Sequence, residues 1–437
     1  MMRTLARPRI LTAGVAGALL TGALLIGGAT VPVSQAVASE PRPEIERKDP
    51  GVMMGERAYR RFDRVTEYYS DGNYQEALSA VQAFLRQDRL NEYERAMGEQ
   101  MYGFILISLE RMEEAIPRFE RAIELDALPN TAHFNLMRSL SQLYATREEW
   151  QRSIDMMTEY LRYQPEPSPE DQIIMAQNYA QMERYRDALP WVRGAIRDAG
   201  EKAQESWYQL ELAIHFETRD FNAALQVLNT IVARWPNQLR YWEMMSGAHQ
   251  ELNQDTDAVA ALMAAYNGGL ITEERKILNL VRMNIYIDMP FQGGRILSRA
   301  IEAGQVEANE RNLRLLLQAW TAAREYDRAG QVIDRLAPMT GEGDLLIQKA
   351  RLVMEQNDWR GTVEAAEAAL ELGNVSNPGA AWLMIGIARM ELDQLRESRR
   401  AFQRAQEFDA NTRRQAREWQ RFVEDRIQLA ELRAASR

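Results

Sequence analysis

Two of the chain's three histidines, His215 and His249, stand 34 residues apart, with His133 upstream. Neutral imidazole is a common metal ligand, and two of them on neighbouring helices can begin a zinc site. Zinc also needs a third protein ligand, and no carboxylate is clearly supplied for that role. Packed helices lie about 8–10 Å apart, so two imidazoles would bridge an ion only in favourable rotamers. One packing slot, used in two consecutive copies of a repeat, explains the spacing more simply. Acidic pairs such as Glu113-Glu114 and Glu148-Glu149 contain the groups of an acid–base catalyst. They sit beside turns, where a helix start favours carboxylates through its dipole. The absence of cysteine removes disulfides, thiolate metal sites, a catalytic thiol and a lipid anchor on an N-terminal cysteine. Phosphate loops, dinucleotide fingerprints, HExxH and the GxSxG elbow are missing as well. No catalytic, cofactor-binding or metal residue is expected, and the chain reads as a non-enzyme. The 21 methionines fall mostly at packing positions.

The elements behind these residues follow from a period. A turn residue, an aromatic and then a small residue recur in Gly72-Asn73-Tyr74-Gln75-Glu76-Ala77, Arg184-Tyr185-Arg186-Asp187-Ala188, Asp220-Phe221-Asn222-Ala223-Ala224 and Glu325-Tyr326-Asp327-Arg328-Ala329. With weaker copies added, the small residue falls at Ala77, Ala115, Ser153, Ala188, Ala224, Ala258, Gly294, Ala329, Thr362 and Ser398. That spacing predicts ten antiparallel helix pairs over 57–410, each amphipathic at the helical period. The small residue belongs where the two helices cross. Four positions later an apolar residue, such as Phe119 or Phe402, is expected to face the next pair. Gly103 occupies the small slot of the first helix in the second pair. Pro129, Pro165, Pro236 and Pro378 fall between pairs, and Pro117, Pro190 and Pro290 fall near the start of a second helix. Residues 411–437 read as a capping helix with Ala416, Trp419, Phe422, Val423, Ile427, Leu429, Ala430 and Leu432 on its apolar side.

These units resemble tetratricopeptide repeats, which implies an all-α, right-handed superhelical solenoid. A narrower resemblance rests on Leu90-Asn91-Glu92-Tyr93-Glu94-Arg95-Ala96, Ser206-Trp207-Tyr208-Gln209-Leu210 and Tyr241-Trp242-Glu243-Met244-Met245-Ser246-Gly247. Ala264-Ala265-Tyr266-Asn267-Gly268-Gly269-Leu270-Ile271-Thr272 and Asn377-Pro378-Gly379 complete it. This set is similar to periplasmic tetratricopeptide proteins associated with TonB–ExbB–ExbD systems. The resemblance implies a non-catalytic accessory to TonB-dependent transport through the outer membrane, with TonB-system components among its partners. Gly294, Thr362 and Ser398 depart from the usual alanine, which is expected to weaken packing there. The same fold also serves a scaffold or chaperone for envelope assembly or polysaccharide export.

Location is read from the N-terminus. Arg3, Arg7 and Arg9 precede an apolar run from Ile10 to Val31, which ends near Ala36-Val37-Ala38. This is the layout of a secretory signal over 1–38, followed by a disordered lead-in over 39–56. The mature protein is expected in the periplasm; an uncleaved run would instead anchor it in the inner membrane, facing the same compartment. Removing three arginines takes the formal charge from −10 to 50 − 63 = −13. That balance repels phosphate backbones, so no nucleic acid is expected as partner.

A partner would meet the concave face made by the first helix of each pair. Aligned units place Phe62, Tyr69, Gln100, Phe104, Ile107, Arg138, Gln142, Ile173, Gln177, Gln209, Phe216 and Glu243 there. Amides suit the backbone of an extended peptide and aromatics its side chains. Asn279, Met283, Tyr286, Arg314, Gln318 and Arg351 form a second, more arginine-rich stretch suited to an acidic partner.

Overall fold

The computed structural model describes residues 47–51, 53–164 and 166–435, so the expected export signal over 1–38, half of the expected lead-in and Pro165 lie outside the described residues. The chain forms two compact units, Met1–Val227 and Leu228–Arg437. The described residues are helical, with no strand. In the first unit the hairpins are α1–α2 (Glu56–Ser70, Tyr74–Leu85), α3–α4 (Glu92–Ser108, Met112–Glu124), α5–α6 (Asn130–Thr146, Trp150–Tyr163) and α7–α8 (Pro169–Gln181, Tyr185–Ala199). Helix α9 (Glu205–Glu217) and the start of α10 (Phe221–Arg234) complete it. After the end of α10, the second unit holds α11–α12 (Leu239–Glu251, Asp255–Asn267), α13–α14 (Glu274–Tyr286, Pro290–Glu302) and α15–α16 (Glu310–Ala322, Tyr326–Thr340). It closes with α17–α18 (Gly343–Glu355, Trp359–Leu372), α19–α20 (Pro378–Glu391, Leu395–Ala405) and α21 (Ala410–Ala435).

One turn makes every hairpin. The first helix ends on a left-handed residue: Gly72, Glu110, Glu148, Glu183, Arg219, Asn253, Asp288, Arg324, Asn357 and Asp393 in order. The amide of the next residue donates to the carbonyl five back, as Arg111 does to Leu106 and Gln394 to Arg389. This is the Schellman termination, which satisfies the last carbonyls of the helix and reverses the chain at once. In nine of the ten turns the left-handed residue carries a side chain, so those turns store a small steric cost.

Counting from the turn fixes the register. The small residue stands five positions after the left-handed one, and Ala77, Ala115, Ser153, Ala188, Ala224, Ala258, Ala329, Thr362 and Ser398 are all fully or nearly fully buried there. In the seventh hairpin the turn is at Asp288, so the slot belongs to Gly293 and not to Gly294. A Cβ on Gly293 would stand 3.1 Å from the Val281 carbonyl of the facing helix. Gly294 answers a different neighbour, Trp320, whose ring would lie 2.8 Å from an added Cβ. Two adjacent glycines had made both registers readable, and Pro290 takes the place usually held by the aromatic.

The departures from alanine do not leave loose contacts. Ser398 Oγ donates to the Gly386 carbonyl at 2.7 Å and Thr362 Oγ1 to the Asp358 carbonyl at 2.8 Å. Ser153 Oγ donates to the Ser141 carbonyl at 2.7 Å and accepts from Asn178 Nδ2 at 2.7 Å. Buried hydroxyls are tolerated because each finds a backbone or side-chain partner. Phe119 and Phe402 turn into their own hairpins and also meet the element that follows: Phe119 shares a core with Leu136 and Leu140 of α5, and Phe402 with Ala416 and Val423 of α21. They fill notches left by Gly103 and Gly386, where an added Cβ would come within 2.2 Å and 2.5 Å of the rings.

Helices begin earlier than the sequence reading placed them, because the turn is so tight. Pro290 is the first residue of α14, but Pro117 and Pro190 lie inside α4 and α8, beyond the first turn. Both are exposed. The lead-in also gains a fixed point. Arg47 donates to the Asp126 carboxylate at 2.7 Å and to Asn130 Oδ1 at 2.5 Å, while Gly55 N donates to Glu94 Oε1 at 2.9 Å. At the other end α21 covers the last hairpin with Ala416 and Val423, fully buried, and with Trp419 stacked 6.2 Å from Phe402. Phe422, Leu429 and Leu432 remain at least half exposed. A helix of 26 residues spans roughly 39 Å, against roughly 17 Å for the 11 residues of α20, so its far end overshoots the surface it caps.

Candidate functional site

In the first unit, the first helices bring their outward residues into one face. Phe104 and Ile107 are half-buried on α3, with the Phe104 ring edge-on to Phe119 at 5.2 Å. Tyr69 is half-buried on α1, 5.6 Å from the Tyr74 ring, and its hydroxyl accepts from Ser108 Oγ at 3.3 Å. Gln100, Gln142 and Gln177 lie half-buried on α3, α5 and α7. Gln209 of α9 donates to Glu205 at 3.0 Å, and Phe216 lies edge-on to Phe221 at 5.9 Å. Two expected face residues belong mainly to the core. Phe62 is 8% exposed against Phe84, and Ile173 is 7% exposed. Arg138 is engaged by Asp171, whose carboxylate also caps α7 through Ser168.

Beneath this face, polar side chains stitch helices within a hairpin and between consecutive hairpins. Arg118 lies over the Tyr102 ring at 4.5 Å and pairs with Glu99 at 3.4 Å. Tyr144 donates to Glu120 at 2.5 Å under the Arg152 guanidinium, 4.2 Å from the ring centre. Burial, the hydrogen bond and the Glu120 charge all push the Tyr144 phenol far above its ordinary value. Arg193 of α8 donates to Glu211 of α9 at 2.7 Å and lies 3.1 Å from His215 Nε2. Burial works to raise the Glu211 pKa, but the hydrogen bonds from His215 and Arg193 and the Arg193 charge outweigh it and hold it below the usual value. These groups are matched to one another, which is structural work.

The buried histidines are only partly matched, since Nδ1 of both His133 and His215 is buried without a hydrogen-bond partner. His215 is 1% exposed beside Arg193 and Glu211, and His133 is 4% exposed. Burial pulls the His133 pKa down to about 4, helped by the Arg47 charge and opposed by Asp126. In the second unit His249 Nδ1 lies 2.8 Å from Gln254 Oε1. Among the described residues no group of three or more His, Asp or Glu side chains is placed to hold a metal ion, and no helix is long and apolar enough to cross a membrane.

The second unit has its own face. Glu243 is exposed and paired with Lys276 at 2.8 Å, and Arg314 is held by both Glu310 at 2.9 Å and Glu342 at 2.8 Å. Arg351 and Gln318 are exposed. Asn279, Met283 and Tyr286 stay accessible, but counting from Gly293 puts Leu278, 8% exposed, and Arg282, exposed, at the equivalent slots of α13. Leu278 and Arg282 line an open hollow of about 360 Å³ with Glu274, Arg275 and Arg311. A second hollow of about 200 Å³ shares Arg282 and is walled by Val259, Met283, Tyr286 and Ile287, with Gln250 and Asp255 at its edge. The sequence names Met283 and Tyr286, which line the second hollow, but counting from Gly294 leaves out Arg282 and the first hollow. Aligning Asp288-Met289-Pro290 with Asn357-Asp358-Trp359 would have found it.

The stretches behind the narrower family resemblance have structural duties. Asn91 and Glu94 form a reciprocal cap on α3, and Asn377 caps α19 with Pro378 as its first residue. Gly379 faces Thr412, which would lie 2.8 Å from an added Cβ.

Compared with known proteins, the chain matches the tetratricopeptide repeat family model over residues 100–127, the second hairpin. The turn, the buried small slot and the helix lengths recur in the other hairpins, and the fold is a solenoid of tetratricopeptide-type units. Similar solved structures include a tetratricopeptide repeat protein from Parabacteroides merdae, 14% identical over 61% of this chain and 99% of that one, with a TM-score of 0.37. YrrB, described as having an unusual peptide-binding site, is 14% identical over 44% of this chain and 92% of its own, with a TM-score of 0.35. MamA from Desulfovibrio magneticus is 13% identical over 43% and 99%, also at 0.35. No curated protein matches the chain.

Proposed function

We propose that the chain is an exported, non-catalytic scaffold that binds protein segments in the periplasm, as an accessory to a TonB–ExbB–ExbD-type energy-transduction system. The observation that carries the binding role is the paired first-helix faces, where amides, aromatics and arginines stand over cores closed entirely by neighbour packing. Extended segments suit such faces, since main-chain groups meet amides and alternate side chains meet hollows. Tetratricopeptide repeats generally mediate protein–protein contacts. Export rests on the arginine-led apolar run and Ala36-Val37-Ala38. The TonB assignment rests on the motif resemblance alone.

Photo-crosslinking in the periplasm from Phe104 and Tyr286, followed by mass spectrometry, tests the reading. Capture of TonB-system proteins is the expected result. Capture of envelope-assembly or polysaccharide-export components in their place, or TonB-dependent uptake unimpaired by deletion, would overturn the assignment.

A further inference from the structure

We infer that the hollow built by Arg275, Arg282 and Arg311 over Leu278 seats an extended acidic protein segment with two carboxylates three residues apart. This rests on the scaffold reading and adds the chemistry of the partner. Acids outnumber bases in this chain, 63 to 53, and two further cations on the helices that carry the hollow, Arg314 and Lys276, are neutralised internally. Arg314 has Glu310 and Glu342, and Lys276 has Glu243. The three arginines of the hollow are exposed and take part in none of the ion pairs among the described residues. Glu274, the acid in the same wall, instead accepts from Asn312 Nδ2 at 2.9 Å. Three like charges gathered on one surface repel each other, and an incoming carboxylate removes that cost. The guanidinium fork matches a carboxylate in two parallel hydrogen bonds, which a lysine ammonium does not.

Spacing narrows the partner. Arg275 and Arg282 are seven residues apart on α13, two turns, or about 10.5 Å along its axis. An extended polyproline-II segment advances about 3.1 Å per residue and returns to the same face every third residue, so acids three positions apart meet both arginines. Arg282 also borders the second hollow, where Val259, Met283 and Ile287 form the wall and Tyr286 is 77% exposed. An apolar side chain about two positions past the second acid reaches it. Nucleic acid is the poorer occupant, because Glu243, Glu310 and Asp255 flank the arginines in a chain of net negative charge.

The test is fluorescence anisotropy with the purified exported chain. The probe is a fluorescein-labelled nonapeptide of glycine and serine carrying two glutamates three positions apart and a leucine two positions past the second. Saturable binding is expected, weakened about tenfold by Arg282→Gln and by added salt, and unchanged by Arg400→Gln on the exposed side of α20. A version with lysines for glutamates should not bind. No binding of the acidic probe, equal binding of the lysine version, or an unaltered Arg282→Gln would each overturn the inference. These arginines are exposed, so each variant should keep the parental urea midpoint, which separates lost binding from lost fold. Crosslinks from Phe104 together with a silent hollow would defeat this inference and leave the scaffold; no capture from either face would defeat the scaffold itself.

Discussion

Replacing Gly103 with alanine sets intrinsic helix propensity against packing. Gly103 lies inside α3, where glycine-to-alanine alone would add about 1 kcal/mol of stability. A Cβ there would stand 2.2, 2.5 and 2.8 Å from three carbons of the Phe119 ring. Comfortable carbon contacts begin near about 3.5 Å, so the ring must retreat by more than about 1 Å. It has no room: Phe119 is 1% exposed and rests edge-on against Phe104. Overpacking of this kind costs about 1–3 kcal/mol and locally more for a backbone-anchored methyl, which leaves Gly103→Ala destabilising by about 1–2 kcal/mol. Phe119→Leu alone should also destabilise, by opening a void. Together the two changes should be far less harmful than their sum, since the new methyl fills part of the space that the ring vacates. Urea unfolding of the four proteins, followed by circular dichroism, measures the coupling. A stabilised Gly103→Ala, or a double variant equal to the sum of the singles, would refute the notch argument. It would then fail for Gly386 and Phe402 too.

Other outcomes follow from the same geometry. His133 is neutral when folded down to about pH 4, while an unfolded histidine takes up its proton near 6.5. Its contribution is therefore unchanged above about pH 6.5 and falls as pH drops from there to about 4, by about 3 kcal/mol in all. His133→Leu should flatten that part of the stability profile, measured as urea midpoints between pH 7.5 and 4.5. Glu183→Gly should raise the urea midpoint by about 0.5–1 kcal/mol, because Glu183 sits at φ 57° in an exposed turn. An unchanged or lowered midpoint would deny that the turn is strained. Gly294→Ala should cost about 1–3 kcal/mol through Trp320, and Trp320→Phe in the same chain should recover part of it.

The number of hairpins, their helical class and the burial of the small slots were all legible, because a two-helix unit repeats its pattern and each copy must satisfy the same crossing. The narrower motifs were legible as well, and the structure gives Asn91, Glu94 and Asn377 capping roles, which say little about a partner. The face residues were less so. Gln100, Phe104 and Ile107 remain half-accessible, yet Phe62 and Ile173 went to the core, and Arg138 was taken up by Asp171.

What the sequence determined by itself is whatever depends on period and residue type: a helical solenoid, small residues at crossings, glycine or a polar residue at turns, and an acidic chain without cysteine. Tertiary structure decided what depends on a single residue of register or on who pairs with whom. Gly293 and Gly294 are equivalent as letters, but a turn at Asp288 makes one a crossing and the other a bed for Trp320. That one position turns Arg282 toward Arg275 and Arg311 in the same hollow. Helical side chains move about 100° around the axis per residue, so a slip of one changes which face a residue occupies. Only the folded chain shows which of its arginines already have a carboxylate and which are left to meet one from outside.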